Sequence, residues 1–85
     1  MLKANDKILF QKLGDEAVIL HLDSEEYFGL DHVGTRVWEI LMEEGSMDKA
    51  LPKLLEEYDV DTNELKKDME ELVASLKSEK ILVET

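Results

Sequence analysis

The sequence contains no cysteine and a single proline in 85 residues. The absence of cysteine excludes disulfides and thiolate metal sites, and it suits a cytoplasmic protein. The first residues lead to no apolar run long enough for a signal peptide or a membrane span. A chain of this length is expected to form one domain over residues 1–85, without room for a second, separately folded catalytic unit.

Basic side chains are also scarce. Lysine and arginine number 10 against 21 aspartates and glutamates, so the formal net charge is −11, and Arg36 is the only arginine. Non-specific nucleic-acid binding depends on neutralising phosphates with such cations, and anionic membranes are disfavoured for the same reason. We therefore expect neither nucleic acid nor a membrane as partner, and instead a basic or neutral partner.

The candidate catalytic and metal-binding residues lack the partners that their chemistry requires. His21 and His32 are the only histidines, and a zinc site would need further ligands around them. Asp59 and Asp61 alternate like the start of a calcium loop, but the glycine and the bidentate glutamate of that loop are missing. No serine lies in a nucleophile motif, and no glycine-rich loop could cradle phosphates. We expect a protein that is not an enzyme and that uses no cofactor or metal.

Three short apolar runs near the start of the chain predict β-strands. They are Lys7–Lys12, Glu16–Leu22 and Glu26–Leu30. The polar connections between them are short, which favours an antiparallel meander. A sheet this small needs a layer of helices to be stable.

Apolar residues then recur at intervals of three and four, which predicts helices. The first helix is expected from about Asp31, its N-cap, to Glu44, with Gly45 as its stop. Trp38 should be largely buried between this helix and the sheet. Before the helix, Gly29 marks a place where the backbone bends or is approached closely.

Ser46 is the predicted N-cap of a second helix. Pro52 lies inside that helix and removes one hydrogen bond, so we expect a kink or a 3₁₀-like first turn. The third helix is predicted over Thr62–Ser78, with a capping box at Asp61 and Glu64. The apolar residues that follow, Ile81-Leu82-Val83, can dock on the core.

Three strands followed by three helices predict an α+β domain in which the helices cover a small sheet. The second and third helices resemble a helix-turn-helix, so the expected fold is winged-helix-turn-helix-like. A DNA-binding regulator is one hypothesis for such a fold. The third helix, however, mixes lysines with acids and has no arginine, the commonest reader of guanine. Fold alone does not decide function.

A peptide-binding edge is the other hypothesis. The third strand closes the meander and can leave an open edge, to which an extended peptide can add as a strand. The third helix carries an apolar stripe that could supply pockets for the side chains of that peptide. In so small a domain the same stripe must also fill the core.

Several segments together resemble PqqD-like proteins, the recognition elements of ribosomally synthesised and post-translationally modified peptides. The resemblance covers residues 17–83, and the residues that carry it are Tyr27-Phe28-Gly29-Leu30, Val33-Gly34, Val37-Trp38, Leu54–Tyr58, Asp68, Leu72 and Leu76. It implies binding of the leader segment of a precursor peptide, which adds to the third strand in the groove against the third helix.

The resemblance also implies the residues of the site. On the strand side these are Glu26, Tyr27, Phe28, Gly29 and Leu30. On the helix side they are Leu65, Asp68, Met69, Leu72, Val73 and Leu76, with Asp68 at the family's acidic position.

The resemblance implies a separate maturation enzyme as the second partner. Members of the pyrroloquinoline-quinone branch typically carry a cysteine-containing segment after the first helix, whereas residues 41–45 here contain none. The chain looks more like the leader-binding proteins of lasso-peptide clusters, which work with a leader peptidase. A peptide chaperone for a radical-SAM modifying enzyme is the alternative.

Overall fold

The computed structural model describes residues 1–85, which form five strands and three helices. The strands are Leu2–Ala4 (β1), Ile8–Leu13 (β2), Glu16–His21 (β3), Glu26–Leu30 (β4) and Leu82–Glu84 (β5). The helices are His32–Glu44 (α1), Met47–Glu57 (α2) and Thr62–Ser78 (α3). The predicted α+β order of a strand meander followed by three helices is confirmed.

Strands β2, β3 and β4 form an antiparallel sheet in that order. The register pairs Ala17 with Leu30 and His21 with Glu26, so β3 and β4 are matched along their length. Ala17, Ile19 and His21 are buried at alternate positions of β3. This two-residue period places one face of the sheet against the helices.

A second, two-stranded sheet was not predicted from the sequence. β1 pairs with β5 in antiparallel register, Leu2 opposite Glu84 and Ala4 opposite Leu82. The predicted docking of the carboxyl-terminal apolar segment is confirmed, since Ile81 and Leu82 are buried. Its partner strand was missed because three residues are too few for a periodic pattern, and because the pairing joins the two ends of the chain.

The predicted helix ends are formed as expected. Asp31 caps α1 and accepts a hydrogen bond from the Gly34 amide at 2.7 Å. Gly45 ends α1 in the left-handed region with φ of 81°, where an L side chain would be strained. Ser46 and Asp61 cap α2 and α3, each accepting from the amide three residues on. The predicted capping box requires two hydrogen bonds, and the structure contains one of them, from the Glu64 amide to the Asp61 carboxylate.

The 3₁₀-like first turn predicted for α2 is wrong. The helix is α-helical from Met47, and the Ala50 amide donates to the Ser46 carbonyl at 3.1 Å, the spacing of an α-helix. Pro52 is exposed on the continuous helix. Ala50 and Leu54, on either side of Pro52, are both fully buried, and their packing outweighs the hydrogen bond that proline removes.

The core is one cluster of sixteen buried apolar residues, to which the sheets and all three helices contribute. Trp38 of α1 is 4 % exposed, which confirms its predicted burial. Its ring stacks on Phe10 of β2, with the centroids 5.8 Å apart. None of the three helices has the length and hydrophobicity of a transmembrane span.

One bidentate ion pair ties α1 to α2 at the surface. The Arg36 guanidinium donates to both carboxylate oxygens of Glu57 at 2.7 and 2.8 Å. These hydrogen bonds lower the pKa of Glu57 below its ordinary value. The pair adds orientation to the two helices, although partial exposure of both side chains keeps its energy small.

Candidate functional site

Strand β4 forms one edge of the three-stranded sheet, because β3 is its only strand neighbour. Leu30 is buried and Phe28 half-buried, whereas Tyr27 is 73 % exposed. The alternation means that Phe28 and Leu30 face the helices and that Tyr27 lies on the outer face. No close approach occurs at Gly29, where an added Cβ would meet no heavy atom within 4 Å. The backbone groups on the free side of β4 have no strand partner.

A cleft of about 250 Å³ lies where β4 passes into α1 and faces α3. Its walls come from the first turns of α1 and from the amino-terminal half of α3. The lining residues are Asp31, Val33, Gly34, Val37, Leu65, Asp68, Met69 and Leu72. The cleft therefore combines an apolar floor with two carboxylates.

The corner between β4 and α1 shapes this cleft. An added Cβ on Gly34 would lie 3.3 Å from Leu30 Cδ2 and 3.2 Å from Asp31 Oδ1. The small residue lets the first turn of α1 pack tightly on the end of the strand, and the Asp31 cap fixes that turn. Val33 and Val37 are thereby held beside the last residue of β4.

The structure brings four of the predicted helix residues together in the cleft: Leu65, Asp68, Met69 and Leu72. Leu65 and Met69 also belong to the core, while Asp68 is exposed and Leu72 is half-buried. The stripe on α3 is therefore shared between core and cleft.

The other two predicted helix residues lie outside this cleft. Leu76 is fully buried in the core. Val73 lines a separate cavity of about 200 Å³ together with Leu2 and Met47, on the side of α3 that faces the β1–β5 sheet.

Asp31, Val33, Gly34 and Val37 were not among the predicted site residues. Asp31 was predicted as the N-cap of α1, and the other three as residues that carry the family resemblance. Their position in the sequence could have indicated a role in the site. The first turn of a helix that directly follows an edge strand must lie at the end of that edge.

The charges around the cleft favour donors and cations over anions. None of the seven ion pairs of the structure includes Asp31 or Asp68. Asp31 is engaged by the α1 amide, which leaves Asp68 as a carboxylate available to an incoming group. No cluster of three or more histidine, aspartate or glutamate side chains is arranged to hold a metal ion. The cleft therefore offers an incoming group apolar contacts and the Asp68 carboxylate.

Comparisons with known proteins agree with this geometry. No curated protein matches the sequence. The solved structure described as "TbiB1 in Complex with the TbiA(beta) Leader Peptide" is 33 % identical, with a TM-score of 0.87 over 98 % of this chain and 96 % of that chain. The structure described as "Lasso peptide synthetase B1 complexed with the leader peptide" has the same fold, with a TM-score of 0.87 at 23 % identity over 98 % of both chains.

The family comparison covers most of the chain. Residues 16–82, which include β3, β4 and all three helices, match the model of the family described as coenzyme PQQ synthesis protein D (PqqD). The chain belongs to the PqqD family.

Proposed function

We propose that this protein binds the leader segment of a ribosomally synthesised precursor peptide, which adds as a strand to the open edge of β4. The observation that carries the proposal is the unpaired edge of β4 next to the apolar cleft between α1 and α3. The 33 % identical structure is a complex with a leader peptide, which supports the same role here.

The two parts of the site have different tasks. The backbone of Glu26–Leu30 supplies hydrogen bonds that are independent of the leader's side chains. The cleft residues Leu65, Met69 and Leu72 receive an apolar side chain from the residue opposite Leu30, and Asp68 accepts from an amide or cation. Val73 and Leu76 do not line the cleft but anchor α3 in the core.

Binding of this kind is a delivery step, not catalysis. The protein would present the leader to a separate maturation enzyme in the cytoplasm. The residues after α1 contain no cysteine, which favours the lasso-peptide pathway, in which that enzyme is a leader peptidase. A radical-SAM modifying enzyme is the alternative recipient.

Titration with synthetic leader peptides tests the proposal. Leader peptides of candidate precursors are labelled with a fluorophore, and anisotropy reports binding. We expect saturable binding of the leader but not of the core segment of the precursor. A labelled DNA duplex at low salt is the control. Tight, salt-sensitive binding of the duplex without leader binding would favour a winged-helix regulator and contradict the proposal.

A further inference from the structure

A second cleft, of about 390 Å³, lies at the opposite end of β4 from the apolar cleft. It is formed by the β3–β4 hairpin and by the residues at the end of α3. Its charged and titratable residues are His21, Asp23, Glu26, Glu79 and Lys80, and no apolar residue lines it. We call it the acidic cleft.

His21 opens into the acidic cleft although it is only 8 % exposed. Its Nδ1 atom accepts a hydrogen bond from the Asp23 amide at 3.3 Å, which assigns the ring proton to Nε2. Nε2 has no hydrogen-bond partner in the protein. Every fully buried side-chain nitrogen or oxygen has such a partner, so Nε2 is not fully buried. Nε2 therefore reaches the cleft as a free donor.

The carboxylates of the acidic cleft are also free. Asp23, Glu26 and Glu79 take part in none of the seven ion pairs, which all lie elsewhere on the surface. Lys80 is the one cation among the lining residues, and it too is absent from those pairs. Three carboxylates against one ammonium group leave a net negative cleft.

The occupant of this cleft must satisfy two requirements. The carboxylates require a cation, and the imidazole N–H requires an acceptor. These side chains do not form a group that could hold a metal ion. A lysine or arginine side chain of an extended peptide supplies the cation, and a carbonyl of the residues that follow it, beyond the segment paired with β4, supplies the acceptor.

The register of the sheet sets the distance between the two clefts. Leu30, at the apolar cleft, pairs with Ala17, and Glu26, at the acidic cleft, pairs with His21. Four residues separate the two positions, about 13 Å along a strand. Side chains alternate between faces, so a strand added to β4 directs both corresponding side chains inward.

We propose that the acidic cleft is a second specificity pocket, which receives a lysine or arginine of the bound peptide. The inference rests on strand addition at β4. Antiparallel pairing, the more stable arrangement, runs the peptide from Leu30 towards Glu26. The basic residue then stands four positions after the apolar residue that enters the first cleft.

Selection from a displayed library of random twelve-residue peptides tests this spacing. The selected peptides should carry lysine or arginine four positions after a common apolar residue. In an individual peptide, replacing that basic residue by alanine should weaken binding about tenfold, the scale of a charge-assisted hydrogen bond. The double variant Glu26→Gln/Glu79→Gln should lose this discrimination. Glu56→Gln/Asp59→Asn, which removes the same charge outside both clefts, should retain it.

Three results would overturn the inference. The inference alone fails if selected peptides protect the β4 amides from exchange but show no basic preference at this spacing. It also fails if Glu26→Gln/Glu79→Gln keeps the full preference, because the overall charge of −11 would then be its source. If no selected peptide pairs with β4, the proposed function falls with it.

Discussion

The two edges of the β2–β3–β4 sheet share a backbone geometry but differ in what surrounds them. β2 carries Lys12, whose ammonium pairs with Glu39 of α1 at 3.1 Å, and Lys7 immediately precedes the strand. β4 contains no lysine or arginine. Lysines on an edge strand discourage the addition of further strands, which is why we propose that a peptide adds to the β4 edge and not to β2.

The space beneath the two edges differs as well. Below β2, the stacked rings of Phe10 and Trp38 fill the volume between sheet and helix. Below the end of β4, the corresponding volume is the apolar cleft. An edge becomes a binding site when its flank offers room for side chains, and the following predictions test that difference.

The largest effect is expected from removing the packing beneath the β2 edge. Trp38→Ala should lower the free energy of unfolding by about 3–5 kcal/mol, as for a large aromatic lost from a core. In so small a domain this could unfold the protein outright. Urea denaturation followed by circular dichroism measures the loss.

Val60→Ala is the control for that measurement, since Val60 is half exposed and outside the core, and its cost should stay within about 0.5 kcal/mol. Tryptophan emission of the wild type gives a second check. Red-shifted, freely quenched emission would contradict the buried position of Trp38.

Proline substitutions separate the two edges directly. Amides of a strand point alternately to its two sides, so only one of Tyr27→Pro and Phe28→Pro should remove an amide on the free side of β4. That variant should stay folded and lose leader binding in anisotropy titrations. The other should disturb pairing with β3.

The matched pair on the β2 edge is Gln11→Pro and Lys12→Pro. The member that remains folded by circular dichroism should bind the leader as the wild type does. Equal loss of binding from folded proline variants on both edges would remove the distinction between them.

A smaller effect is expected at the rim of the apolar cleft. Asp68→Ala should weaken leader binding by about 1–3 kcal/mol, the scale of a hydrogen bond to a charged group. Glu71→Ala, on the same helix but outside the cleft, is the control. Equal effects of the two substitutions would indicate a contribution of net charge rather than of the site.

The smallest effect concerns the Arg36–Glu57 pair, which lies outside the apolar cleft. Arg36 lowers the pKa of Glu57 below its ordinary 4.5, so the pair stabilises the fold above pH 4.5 and less as the pH falls through the lowered value. The gap in unfolding free energy between wild type and Glu57→Gln should be constant near neutrality and shrink in acid. A gap that widens in acid would contradict the stabilising role of the ionised pair. Leader binding of Glu57→Gln at neutral pH should equal that of the wild type.

Local signals were sufficient for most of the fold. Short apolar runs located β2, β3 and β4, and the caps Asp31, Ser46 and Asp61 located the helix starts. The β1–β5 pairing was missed because it depends on contact between the chain ends. The first turn of α2 was misjudged because burial of its neighbours outweighs the local penalty of Pro52.

The candidate site was less predictable than the fold, because a cleft arises from elements that meet in space. The sequence indicated the β4 edge and four of the cleft residues on α3. It could not show that Val33 and Val37 complete the cleft, since a valine on a helix reads equally as core. His21 likewise carries no signal until the structure places it beside Glu26 and Glu79.

Amide hydrogen exchange with and without the leader peptide tests the central claim most directly. We predict new protection at alternate amides of residues 26–30, with no new protection on the outer edge of β2. Unchanged exchange in β4, with protection on β2 or only on the charged outer face of α3, would contradict strand addition at this edge.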